Sequence, residues 1–172
     1  MLRVDLRDLS AGPIETVGEV ARADPALASL GLELLEPVRV SGRIMASGPG
    51  SYYWEGRIRT RVAGACRRCL EPAAVTLDQP VRLLFTEDQG ADDPATVIVP
   101  PRVGELDLTD AVREELILAA PEFPLCREDC CGLCPRCGAD LNRGPCGCRP
   151  ETDPRWSALN GLGGRSNDDE TR

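Results

Sequence analysis

The chain has 172 residues, 42% hydrophobic and only 3% aromatic, which allows one ordinary core of Val, Leu, Ile and Ala plus a small appendage and excludes two full-sized domains. It has no histidine and all 20 basic residues are arginine, so histidine triads and lysine Schiff bases are excluded and carboxylates, Cys and Tyr remain as catalytic groups. A net charge of −8 speaks against indiscriminate coating of nucleic acid, but residues 37–70 hold seven arginines and one acid while residues 71–125 hold three arginines and twelve acids.

The opening MLRVDLRDLS carries charges throughout and no later apolar run approaches a membrane span, so a soluble, cytoplasmic chain is expected. Leu2, Val4 and Leu6 alternate with Arg3, Asp5 and Arg7, the period of a half-buried strand over 2–9. Residues 15–35 mix Gly18, Pro25 and Gly31 with scattered apolar positions, and at most one or two short helices are expected there.

From Val38 the alternation is clear, with Val38, Val40 and Ile44 opposite Arg39, Ser41 and Arg43; the SGPG turn at 47–50 then leads into Ile58, Thr60 and Val62 opposite Arg57, Arg59 and Arg61. These two strands predict a hairpin. Val75 to Phe85 predicts a third long strand broken near Pro80, and Thr96 to Val99 another. Leu108, Val112, Leu116 and Ala119 recur near 3.6 and predict a helix over 108–120, capped by Asp107 or Thr109 and ended by Pro121 and Pro124. After Pro150, DPRWSALNGL predicts a final helical turn packing Trp156 and Leu159.

Residues 126–148, CREDCCGLCPRCGADLNRGPCGC, place seven cysteines in 23 positions with too few apolar residues for a core. In a reducing compartment, cysteines read as metal ligands or redox groups rather than disulfides, and nine cannot all pair. CPRCG brings Cys134 and Cys137 to one tetrahedral ion, as in a zinc knuckle. Two more ligands come from Cys126 and Cys130 upstream or Cys146 and Cys148 downstream, with at least one from each side favoured. Lacking histidine, the site is an all-thiolate, closed, structural Zn2+ site, and Cys131 is an extra thiol. An iron–sulfur cluster or a redox role are the alternatives. Cys66 and Cys69 in CRRCL form either a second metal or structural pair or a reactive dithiol beside Arg67 and Arg68.

Arg39, Arg43, Arg57, Arg59 and Arg61 project from one sheet face if their strands pair, and with Arg68 they are candidate RNA contacts. Tyr52, Tyr53 and Trp54 near the turn are stacking candidates. The competing reading is a solvated strand face with aromatics capping the core.

CRRCL, then GELDLTDAVREELILAAPEFPLC, then CCGLCPRCGADLNRGPCGC and DPRWSALNGL, together about residues 64–162, resemble the bacterial YceD family, which has plant organelle relatives. The resemblance implies a role in accumulation or processing of 23S ribosomal RNA, no enzymatic activity, and functional positions at Cys66, Arg68, Cys69, Asp107, Glu115 and the later cysteines. Cys131 stands where that family usually has a basic residue, and its C-terminal cysteines are not kept throughout.

The expected architecture is α+β: a β-rich domain over 1–125 with an antiparallel sheet of about four or five strands and one to three helices, a Cys-rich zinc module over 126–162 packed on it, and a disordered tail over 163–172. The expected partner is a large-subunit ribosomal RNA precursor or a ribosomal protein, without membrane or small-molecule substrate. Competing functions are a CxxC thiol oxidoreductase and a zinc-dependent redox-sensing adaptor.

Overall fold

The computed structural model describes residues 2–93, 96–148 and 155, so the expected turn around Trp156 and Leu159 and the expected tail lie outside the described residues. The chain divides into two compact units, the first from Met1 to Cys130 and the second from Cys131 onward.

The first unit is built on strands β1 (Arg3–Asp5), β2 (Ile14–Val20), β3 (Glu33–Leu34), β4 (Val38–Gly48), β5 (Ser51–Ala65), β6 (Pro72–Thr86), β7 (Thr96–Ile98) and β8 (Glu105–Asp107), and on one helix, α1 (Thr109–Leu118). The main sheet runs β2-β4-β5-β6-β7, with β3 joining β5, and β1 pairs separately with β8. The α+β class holds. The sheet is larger than expected and it is mixed, because β7 lies parallel to β6 at Leu84–Thr86 while its other pairs are antiparallel.

Three local expectations change. The first strand stops at Asp5, whose carboxylate accepts the Arg7 amide and turns Leu6–Ala11 into 3-10 helix. Residues 15–35 hold most of strand β2, which was not expected, and then one 3-10 helix at Pro25–Leu27, within the one or two short helices expected. In β2 the inward positions include Thr16 and Gly18, so no apolar period is visible; Gly18 leaves room for Leu2, whose Cδ2 would stand 2.4 Å from a Cβ there and would have to shift. Strand β6 runs unbroken through Pro80. There β5 lies on one side only, since β7 joins no earlier than Leu84, and a missing N–H on the open side costs no ladder bond.

One face of the sheet is the core. Val20, Val38, Val40, Ile44, Trp54, Ile58, Val62, Val81 and Phe85 are all at most 2% exposed, and α1 closes over them with Ala111, Val112 and Leu116. The Asp107 carboxylate accepts the Thr109 amide at 2.9 Å, satisfying one of the unpaired donors at the start of α1. No helix among the described residues is long and apolar enough to cross a membrane.

Candidate metal centres and the arginine face

The cysteines gather into two sets of four, each with its sulfurs within 4.8 Å of one another: Cys66, Cys69, Cys126 and Cys130 in the first unit, Cys134, Cys137, Cys146 and Cys148 in the second. The expectation that Cys134 and Cys137 draw a ligand from each side is corrected. Both of their partners lie downstream, and the upstream pair belongs to Cys66 and Cys69 instead. Cys131 belongs to neither set.

The first set joins the tip of the β5–β6 hairpin to the segment after α1. Ala65 and Pro72 are the last paired residues of two 15-residue strands, so Cys66 to Glu71 is the turn between them. Its shape is fixed by two bonds, Leu70 N–H to Cys66 C=O and Cys66 N–H to Glu71 C=O, both 2.8 Å. Arg68 then donates through Nη1 to the carbonyls of Glu128 (3.0 Å) and Cys130 (2.9 Å), and the Arg67 amide bonds the Pro124 carbonyl. Arg68, a candidate RNA contact, thus helps hold the loop that carries Cys126 and Cys130. The Arg67 guanidinium lies 3.7 Å over the Phe123 ring.

The second set repeats this turn with different flanks. Gly138 N–H bonds Cys134 C=O at 2.9 Å and Cys134 N–H bonds Ala139 C=O at 2.8 Å, the same two positions relative to the first cysteine. A bridge between Leu133 and Asp140 closes it into a small hairpin, and Asn142 Oδ1 accepts the Cys131 amide. Among its described residues the only buried apolar side chain is Cys134, so these residues contribute little apolar packing of their own.

The residue after the second cysteine is left-handed in both turns, Leu70 at φ 65° and Gly138 at φ 71°. Glycine carries that conformation freely, whereas leucine is strained by about 1–2 kcal/mol. Leu70 is 67% exposed and has little packing to lose. Leu70→Gly is therefore expected to leave metal content unchanged and raise the unfolding midpoint, by up to about 1 kcal/mol after the entropy cost of glycine, measured by urea denaturation.

Sulfur spacing tests what these sets can hold. Cys66 and Cys130 sulfurs are 3.8 Å apart and those of Cys69 and Cys126 3.7 Å. A tetrahedron of thiolates on a metal with bonds of about 2.3 Å has an edge of about 3.8 Å, while a disulfide needs about 2.05 Å. No cysteine is in a disulfide. Both sets can hold a tetrahedral metal ion.

The thiol ionisation fits the same picture. The amides of Cys126 and Cys69, both aimed at the Cys66 sulfur, hold that thiol down to about 6, and those of Cys137 and Arg136 do the same for Cys134. Burial and then the neighbouring thiols push Cys126 up to about 12; Cys137, Cys146 and burial do so for Cys148. Four thiolates so close together repel, and a bound dication removes that penalty.

The arginine face forms as the strand pairing requires. Arg39 lies opposite Arg59, Arg57 opposite Ser41, and Arg43 opposite Glu55. Carboxylates from neighbouring strands, however, interleave with it. Asp78 takes both Arg57 and Arg59, Glu55 takes Arg43 and Arg82, Glu36 takes Arg39 and Arg61, and Glu19 also reaches Arg39. Arg57 first and Arg59 after it hold the Asp78 carboxyl below its ordinary range. Trp54 is not a stacking surface: it is fully buried and donates from Nε1 to Thr16 Oγ1 at 2.9 Å. Tyr52 lies on the same inward side, its hydroxyl bonded to Glu87, and only Tyr53 shares the arginine side.

A family profile described as large ribosomal RNA subunit accumulation protein YceD matches residues 54–163. The chain belongs to the YceD family. The YceD match contains both cysteine sets and α1, whereas Arg39 and Arg43 precede it. Uncharacterized proteins of Mycobacterium tuberculosis and Mycobacterium bovis are 33% identical over 109 residues, 60% of this chain and 52% of theirs. The chain therefore spans about half the length of these relatives. A chloroplastic protein of Zea mays named large ribosomal RNA subunit accumulation protein YCED homolog 1 is 26% identical over 192 residues, covering 93% of this chain and 65% of that one. No solved structure matches the chain.

Sequence reasoning named every cysteine of the two sets but not how they divide. Two CxxC turns and two further cysteine pairs, with one residue left over, already divide nine cysteines into two tetrahedral sets.

Proposed function

We propose that this YceD-family chain is a non-enzymatic cytoplasmic factor that supports accumulation of large-subunit ribosomal RNA by binding a component of the nascent subunit, with structural Zn2+ in its cysteine sets. The relatives named for that role support it. Zinc is favoured by the all-thiolate tetrahedral spacing. Cys66 is wholly buried and Cys69 is 7% exposed, which favours a metal role over thiol exchange at CRRCL.

Of the two components, a basic ribosomal protein is favoured over RNA, and one observation carries this. Each sheet arginine already has a carboxylate partner, six arginines sharing four acids, whereas Asp110, Glu114 and Glu122 make no ion pair among the described residues. Burial first and Glu114 next push the Glu115 carboxyl up. The surface at and after α1 is thus acidic, and the helix adds to it because its last turn has no basic residue.

In cells lacking the protein, large-subunit ribosomal RNA should fall relative to small-subunit RNA; an unchanged ratio rejects the role. Complementation with Asp110→Asn, Glu114→Gln and Glu122→Gln combined should weaken crosslinking to ribosomal protein, whereas Arg57→Gln, Arg59→Gln and Arg61→Gln combined should not. The reverse pattern, with loss of crosslinks to RNA in the arginine variant, returns the RNA reading.

A further inference from the structure

We propose that the two cysteine sets hold ions of unequal permanence: the set at Cys66, Cys69, Cys126 and Cys130 is locked, and the set at Cys134, Cys137, Cys146 and Cys148 is a zinc site that oxidation releases. This rests on the zinc reading above.

Both sets have the same four sulfur ligands and the same turn hydrogen bonds, so their intrinsic metal chemistry is alike. Access separates them. In the first set Cys66, Cys130 and Cys69 are 0%, 3% and 7% exposed, and only Cys126 reaches solvent. In the second, Cys134 alone is buried, with Cys137 and Cys148 exposed and Cys146 half-buried. An oxidant must reach a sulfur before it can react, so attack starts at the rim of the second set.

The surroundings differ in the same direction. The first set is anchored on two 15-residue strands and a loop held by Arg68, in the unit that carries the hydrophobic core. Among the described residues the second set is supported by one β-bridge and a few turn bonds, so its geometry leans on its ion. A single oxidised ligand there leaves little to hold the other three in place.

The reaction balances with hydrogen peroxide as oxidant. Four thiolates leave the ion and form two disulfide bonds, giving up four electrons. Two peroxide molecules accept these with four protons, their O–O bonds break, and four water molecules form. The Zn2+ ion departs unchanged in charge.

The test uses the full chain purified with zinc and without reductant. Native mass spectrometry counts ions as peroxide is added, a colorimetric zinc chelator follows release, and alkylation mapping identifies the oxidised cysteines. Two ions are expected at the start, one leaving at least about tenfold faster than the other, with Cys134, Cys137, Cys146 and Cys148 oxidised while Cys66 and Cys130 remain thiols. Release of both in one phase, or earlier oxidation of Cys66 and Cys130, overturns the inequality and leaves the zinc reading standing. Fewer than two ions before any peroxide overturns both.

Discussion

Cys66→Ser, and separately Cys130→Ser, should each remove one ion and lower the stability of the first unit by about 4 kcal/mol, read as a fall in the urea midpoint by circular dichroism. The magnitude follows from chain entropy. The sulfur contacts of this set tie residues 64 and 57 positions apart, and a cross-link closing a loop of that order is worth about 4 kcal/mol in the unfolded chain's lost freedom. A metal ion held by the four sulfurs, as proposed above, would act as that cross-link.

What it secures is α1. The helix buries Ala111, Val112 and Leu116 in the core, and the segment behind it returns to the hairpin tip through the cysteines and the bonds of Arg67 and Arg68. Cys131→Ser, outside both sets, should leave two ions and an unchanged midpoint. If the Cys66 variant loses its ion yet unfolds at the wild-type midpoint, the arginine bonds alone hold the segment and the metal is incidental to the fold.

Legibility in the sequence followed the chemistry of each strand. Strands β4 and β5 were readable because arginine marks the outward positions and Val or Ile most inward ones. Strand β2 was not, because its inward Thr16 and Gly18 answer to distant residues, Trp54 and Leu2, while its Val17 points outward and is 84% exposed. No local pattern encodes such a demand. The parallel β7 was equally hidden, since a three-residue strand carries no sign of its direction.

The same distinction separates the two candidate sites. The cysteines of both sets were legible from their spacing, but which pairs come together depends on a hairpin tip meeting a segment about 60 residues later in the chain. The arginine face was predicted in its register yet misjudged in its charge. Its neutralising acids come from residues 19, 36, 55 and 78, and three of those four lie outside the two strands that carry the candidate arginines.

Trp54→Ala should cost about 3–5 kcal/mol, the range for truncating a buried large aromatic side chain. The residue is fully buried on the inward face, opposite Ile44 on β4 and Leu83 on β6, and its indole passes so close to Gly56 that a Cβ there would stand 2.6 Å from Cζ2. Two smaller changes separate packing from hydrogen bonding. Trp54→Phe keeps much of the ring but gives up the bond to Thr16, whereas Thr16→Val keeps the ring and strands its N–H in the core, a loss of about 1–3 kcal/mol. Circular dichroism in urea should order the midpoints with Trp54→Ala lowest. Had Trp54 been a stacking platform for RNA bases, Trp54→Ala would weaken RNA retention while leaving stability nearly unchanged. That outcome would place the ring on the outer face of β5, against the alternation that puts Arg57, Arg59 and Arg61 there.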